Sequence, residues 1–128
     1  MALSALTKDG YSFRGQVIIG QRPSGRKHKV DILVTAESDP QQIPISMKWQ
    51  QVPGTTEEKV PYEIICLADA VHKSQGKFKK AYIVLGGEGW RLREYYLSGN
   101  IQQFLRNCES VEVISLEGFV AKANQRKL

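Results

Sequence analysis

Two ionisable residues lie in apolar segments where a hydrophobic side chain would be expected. Asp31 interrupts Val30–Val34, and Lys48 lies near the end of the next apolar segment of the chain. A charge in a strand of a small core is unfavourable unless it is paired or bound to a metal ion. A carboxylate can hold a divalent cation, and an ammonium group can lie beside an attacking water or a scissile phosphate. The pair therefore predicts a site that hydrolyses phosphodiester bonds.

The elements that must position this pair are indicated by apolar patterns and turn residues. Pro23 and Gly25 predict the turn of a first hairpin, and Pro61 suits the first position of a helix that reaches Lys73. A second helix is expected to be broken or kinked near Gly99, and the tail beyond Gly118 has no clear pattern. Strands are expected over 12–21, 29–36, 43–51, 80–85 and 111–116, and helices over 1–9, 61–73 and 91–107. This order predicts an α/β fold with a mixed sheet flanked by helices.

Length and composition indicate one globular domain, residues 1–128. The chain is 41% hydrophobic and 24% charged, which is ordinary for a globular protein. No apolar run is long enough for a membrane helix, and no signal peptide is recognisable. Cys66 and Cys108 are expected to be buried free thiols of a reducing compartment. A cytoplasmic location is therefore expected.

The charge distribution favours a polyanionic partner. The formal net charge is +5, from 18 basic and 13 acidic residues. One group of cationic and imidazole side chains surrounds the first predicted turn, and two further lysine- or arginine-rich groups follow near residues 73–80 and 122–127. Contacts with the DNA backbone are expected above all from the first group, Arg22, Arg26, Lys27, His28 and Lys29.

Asp31 followed on the adjacent strand by Ser46-x-Lys48 resembles the PD-(D/E)XK nuclease superfamily, which has the restriction-endonuclease-like fold. The likeness extends over roughly residues 10–90 and includes Gln50 and the turn that leads into the helix after Pro61. The resemblance implies a DNA endonuclease that depends on Mg²⁺, with Mn²⁺ as a substitute, and that leaves a 5′ phosphate.

Ser46 departs from the family pattern, which has Asp or Glu two residues before the lysine. A hydroxyl group is a poor replacement for a carboxylate as a ligand of a hard cation. Three explanations remain open: the acid has moved to the following helix, the site is inactive, or the serine is an engineered replacement. If the acid has moved, Glu63 is the first candidate and Glu58 the second.

The resemblance also implies individual roles. Asp31, the carbonyl oxygen of Met47 and Glu63 or Glu58 would hold the metal ion, while Lys48 would stabilise negative charge on the phosphate. Because side chains alternate along a strand, Ser46 and Gln50 should share the face of Lys48 and contact the water or the phosphate. In the family a further acid often comes from the first helix, where this chain has Asp9, but that helix is expected to be short here, which disfavours this role.

Four other positions are given simpler expectations. Trp49 should point into the core, and His28 should contact phosphate or solvent. Trp90 should pack in the core rather than stack on a base, and the glycine-rich loop 86–89 should permit close packing or lie near DNA, because it lacks the sequence of a phosphate-binding loop.

Cleavage of both strands of a duplex requires two active sites, whereas this chain has room for one. A homodimer or a higher symmetric assembly is therefore expected. The alternative function, based on Ser46, is a catalytically inactive nucleic-acid-binding or scaffold protein with the same fold.

Overall fold

A five-stranded mixed β-sheet forms the centre of the molecule in the computed structural model, which describes residues 10–128. Its strands lie side by side in chain order, and the first three are antiparallel while β3, β4 and β5 are parallel. The strands are β1 Tyr11–Gln21, β2 Lys27–Ala36, β3 Asp39–Trp49, β4 Ala81–Gly86 and β5 Val111–Ser115. The mixed sheet flanked by helices is therefore confirmed. The helix expected over 1–9, with Asp9, lies outside the described residues.

Three α-helices flank the sheet in the described part of the chain: α1 Val60–Lys73, α2 Arg93–Leu97 and α3 Leu116–Asn124. The break expected near Gly99 in the second helix is confirmed: α2 ends at Leu97, and after Gly99 (φ +80°) the chain continues as a 3-10 helix, Asn100–Phe104. The expected extent of 91–107 is wrong, because the helical segments cover only part of that range. No helix among residues 10–128 has the length and apolar character needed to cross a membrane.

Helix α3 was not expected from the sequence. It follows β5 directly, and the hydroxyl of Ser115 accepts a hydrogen bond from the Gly118 amide at 3.0 Å, which caps its first turn. The helix places Phe119, which is fully buried, against the sheet. The sequence signal for this helix was a serine before a nine-residue amphipathic segment. No loop residues mark the boundary between β5 and α3, because the helix begins directly after the strand.

The two faces of the sheet carry separate hydrophobic clusters. On β4, Tyr82 and Val84 pack on the side of α3, whereas Ile83 and Leu85 pack on the side of α1 and α2. Every residue of β4 is buried, as expected for a central strand covered on both faces.

The side chains of β2 switch from one face of the sheet to the other at Asp31. Ile32 packs on the α3 side, but Val30, two residues away on the same strand, packs on the α1 side. The opposite strand accommodates this change at Gln16, which has φ +55°. The ladder between β2 and β3 also ends here, at the pair Ile32–Ile45. Asp31 therefore lies where the hairpin leaves the sheet.

Loop 86–89 packs against the end of β3, as the close-packing alternative predicted. Gln50 N donates to the Gly86 carbonyl at 3.0 Å, and Gly89 N donates to the Gln50 carbonyl at 2.9 Å. Gly87 has φ +91°, and a Cβ atom there would overlap the Gln50 main chain.

The two tryptophans near this loop differ from each other. Trp90 is buried and donates to the Gly86 carbonyl at 2.7 Å, so core packing is confirmed. The expectation that Trp49 points into the core is wrong, since its side chain is 64% exposed. Trp49 pairs with Gly86 on the neighbouring strand β4. Its indole packs over Gly86, in the space that a Cβ atom there would occupy, and the outer face of the ring is in water.

We expect Gly87→Ala to destabilise the fold more than Gly25→Ala. Both glycines have left-handed backbones, φ +91° and +88°, but a Cβ at Gly25 meets nothing within 4 Å. Left-handed strain should lower the free energy of unfolding by about 1 kcal/mol in both variants, and overlap with Gln50 should add about 2 kcal/mol in Gly87→Ala only. Urea denaturation measures both values, and equal losses would show that the loop can move away from β3.

Candidate active site

Glu63, in the first turn of α1, is a buried carboxylate contacted by three other elements. It is only 2% exposed. Its Oε1 accepts a hydrogen bond from Arg22 Nη1 at 2.8 Å and lies 3.2 Å from His28 Nε2. Its Oε2 accepts a short hydrogen bond from Ser46 Oγ. The turn after β1, strand β2 and strand β3 therefore all meet α1 at this side chain.

These contacts keep Glu63 ionised. Burial by itself raises the pKa of a carboxyl group, because the charged form loses its hydration. Contacts with His28, Ser46 and Arg22 act in the opposite direction and outweigh burial, so the pKa of Glu63 is lowered from 4.5 to about 2. The carboxylate is thus negatively charged over the whole physiological pH range.

Asp31 contacts β3 from the neighbouring strand β2. Its Oδ2 accepts a hydrogen bond from the Met47 amide at 2.7 Å, just beyond the last pair of the β2–β3 ladder. The Asp31 carboxylate therefore accepts the Met47 N–H, which has no main-chain acceptor on β2 because the two strands separate here. Two carboxylates from different elements thus contact consecutive residues of β3, Asp31 at Met47 and Glu63 at Ser46.

An open cleft of about 590 Å³ lies beside Glu63. Four of its side chains are cationic and one is anionic, so the cleft favours an anionic ligand. We call it the cationic cleft, and its lining residues are Arg22, Ser24, Arg26, Lys48, Lys59, Tyr62 and Glu63.

The oxygen ligands present are compatible with a divalent cation held partly by water and substrate. A carboxylate has about four lone-pair sites. Glu63 accepts hydrogen bonds from Arg22 and Ser46 and lies 3.2 Å from His28 Nε2, and Asp31 accepts the hydrogen bond from Met47. Among residues 10–128, no group of three or more His, Cys, Asp or Glu side chains could hold a metal ion. Mg²⁺ commonly binds through one or two carboxylates, completed by waters and substrate phosphates, and this donor set fits that pattern.

The structure brings most of the expected site residues to one end of β3. Ser46 contacts Glu63 directly, Lys48 lines the cationic cleft with it, and Asp31 lies at Met47. Arg22 and Arg26 also line this cleft.

Three other expected residues lie elsewhere. Glu58 is exposed and is not among the lining residues of the cationic cleft. Lys27 and Lys29 are exposed on β2, also outside the cleft lining.

Gln50 is held away from solvent by contacts with neighbouring loops. It is 5% exposed, and its amide nitrogen donates to the Gly89 carbonyl at 2.7 Å. Its amide oxygen accepts from Glu57 N at 3.3 Å. The side chain thus ties the end of β3 to loop 86–89 and to the turn before α1.

The expectation that His28 contacts phosphate or solvent is wrong. The imidazole is fully buried and lies against Glu63. His28 and Val30 precede the point at Asp31 where the hairpin changes sides, so both are directed toward α1 rather than outward. The sequence prediction grouped His28 with its basic neighbours, and this local pattern does not show to which face of the sheet the imidazole points.

Lys59 and Tyr62 line the cationic cleft but were not selected from the sequence. Lys59 lies three residues before Tyr62 and four before Glu63, the spacing that brings side chains together on a helix, whereas Tyr62 directly precedes Glu63. This spacing was the available signal. Glu57, also unselected, is a buried carboxylate that accepts from the Arg91 and Leu92 amides at 3.0 and 2.9 Å, ahead of α2.

With this geometry established, comparisons identify the family. A family model described as the PD-(D/E)XK nuclease superfamily domain matches residues 2–127. The chain therefore belongs to the PD-(D/E)XK nuclease superfamily.

Comparisons with individual proteins add the fold alone. The crystal structure of AF1548, a protein of unknown function, superposes with a TM-score of 0.58 at 14% identity. The match covers 90% of this chain and 54% of AF1548, so this chain spans about half the length of that protein. The comparison with curated proteins gave no match.

We expect the acid sensitivity of the fold to depend on Glu63. Because its folded pKa is about 2 and its ordinary value 4.5, its stabilisation is complete above about pH 4.5 and is lost as the pH falls to about 2. At about 1.4 kcal/mol per pKa unit, the loss is on the order of 3 kcal/mol. Urea unfolding in EDTA at a series of pH values measures it. Glu63→Gln should remove this pH dependence and the exposed-site control Glu58→Gln should retain it, whereas an unchanged slope in Glu63→Gln would contradict the assignment.

Proposed function

We propose that this chain is a divalent-metal-dependent endonuclease that hydrolyses phosphodiester bonds of DNA. The observation that carries the proposal is the meeting of Asp31 and Glu63 at consecutive residues of β3, with Lys48 in the adjoining cationic cleft. Membership in the nuclease superfamily supports the reaction class.

The position of Glu63 supports the explanation that the missing acid has moved. In the family pattern an acid precedes the lysine by two residues, and here Ser46 at that position donates its hydroxyl to Glu63. The carboxylate thus reaches the same place from α1. Asp31, Glu63 and the carbonyl oxygen of Met47 would hold Mg²⁺, or Mn²⁺ as a substitute. When bound, the cation would activate water and neutralise charge on the phosphate.

The protein's own groups would bind and orient the substrate. The Lys48 ammonium would stabilise the charge that builds on the phosphoryl oxygens. As the water oxygen bonds to phosphorus, the bond to the 3′ oxygen breaks, leaving a 5′ phosphate and a protonated 3′ hydroxyl. Arg26 and Lys59 would hold flanking phosphates, which positions the strand without reading its sequence.

Cutting both strands of a duplex would require a second copy of the site. We therefore include a homodimer or a higher symmetric oligomer in the proposal, because a closed two-fold assembly presents two equivalent sites to antiparallel strands.

A second candidate function is an inactive nucleic-acid-binding protein with the same fold. The observation that favours it is the occupation of Glu63 by Arg22, His28 and Ser46. If these contacts persisted in the presence of metal, the cationic cleft would bind DNA without cleaving it.

We expect Lys48→Ala to lower the cleavage rate by about 100-fold or more, because one charged stabiliser of the transition state is removed. Supercoiled, branched and single-stranded DNA would be incubated with Mg²⁺, Mn²⁺ or EDTA, and DNA binding measured in parallel. Lys79→Ala is the control, since this lysine pairs with Asp39 at 3.4 Å and does not line the cationic cleft.

Two results would change the proposal. Metal-dependent cleavage that persists in Lys48→Ala would remove the lysine from the mechanism. Absence of cleavage on every substrate, with DNA binding intact in the wild-type protein, would establish the inactive binder.

We expect Glu63→Gln and Glu58→Gln to differ in metal binding. Calorimetric titration with Mn²⁺ should show about tenfold weaker binding for Glu63→Gln, because a neutral amide replaces a charged ligand. Glu58→Gln should bind as the wild-type protein does. The reverse result would make Glu58 the migrated acid, and unchanged binding in both variants would contradict a metal site at the end of β3.

A further inference from the structure

An aromatic ring lies among the cations of the cationic cleft. Tyr62 lines it and is 47% exposed, although large aromatic side chains usually bury most of their surface. The Arg22 guanidinium lies 5.9 Å from the ring centroid. About half of the side chain thus remains available to a ligand in the cleft.

The groups around Tyr62 complement the parts of a nucleotide. Glu63 follows Tyr62 in the first turn of α1 and Lys59 lies just before this helix, while Lys48 comes from β3 and Arg26 from the first hairpin. A cleft of about 590 Å³ has the size typical of small-ligand sites. Cations can bind the phosphate, and the ring offers a flat apolar surface to the base.

Stacking on Tyr62 would require an unpaired base. In a continuous duplex each base is covered on both faces by its neighbours, so a protein ring can stack on it only if the base leaves the helix. In a single strand, aromatic rings and a cationic groove act together, and stacking tolerates every base because each has a π face.

We propose that the cationic cleft binds an unpaired nucleotide of DNA, with its base on Tyr62 and its phosphate at Lys48 and Arg26. The substrate class is therefore single-stranded DNA, or a flap or branch with unpaired bases next to the cleaved bond. This inference rests on the proposed nuclease function, but binding can be measured without cleavage.

The test is fluorescence anisotropy in EDTA, with a labelled single-stranded oligonucleotide and a blunt-ended, fully paired duplex of matched length. Tyr62→Ala should weaken binding of the single strand by about tenfold, and Tyr62→Phe by less than about twofold, because phenylalanine retains the stacking face. Affinity for the paired duplex should not change in either variant.

Phe104→Ala is the matched control. Phe104 is 72% exposed and lines a different groove, with His72 and Arg106. Its loss should leave binding of both DNA forms unchanged. If Tyr62→Ala lowers the melting temperature, Tyr62→Leu replaces it, since leucine keeps apolar volume but has no π face.

Each remaining result is informative. Equal losses for single-stranded and paired DNA, no loss for either, or failure of Tyr62→Phe to restore binding would overturn stacking on Tyr62 while leaving the nuclease proposal intact. If the wild-type protein bound neither DNA form, both proposals would fail.

Discussion

A buried, ionised carboxylate is the constraint on which this structure depends. Glu63 is 2% exposed, and a charge in that position is unfavourable unless donors replace the lost water. Arg22 and Ser46 supply these donors from the first hairpin and from β3, and the His28 imidazole packs against the same carboxylate. Their contacts fix α1 against the sheet, so the interaction that stabilises the helix position also forms one wall of the cationic cleft.

Asp31 links fold and chemistry in a similar way. The hairpin changes sides at this residue and the ladder with β3 ends, which leaves the Met47 amide without a strand partner. The Asp31 carboxylate accepts that amide. A site at the place where paired strands separate has main-chain groups and space available for a ligand, which a continuous ladder does not offer.

The contacts of Glu63 have two consequences that act in opposite directions. They hold the carboxylate ionised and oriented, as a ligand for a cation requires, but they also occupy lone pairs that a cation would use. The surplus of cations around it keeps the cleft attractive to phosphate even after one pair with Arg22 forms. A nuclease and an inactive binder on this fold differ in whether metal and substrate redistribute these contacts.

The sequence by itself predicted the order of the strands along the chain, the hairpin turn and helix α1 from local signals: strand alternation, and proline and glycine at turns. Charges in apolar segments singled out Asp31 and Lys48, and the family resemblance added Ser46 and Glu63. Tertiary structure alone decided that His28 is buried, that Trp49 is exposed and that Lys59 and Tyr62 line the cleft. Burial of His28 depends on where the side chains of the first hairpin switch faces of the sheet. Exposure of Trp49 depends on its partner on the neighbouring strand, Gly86. Such contacts join residues far apart in the chain, so no local pattern contains them.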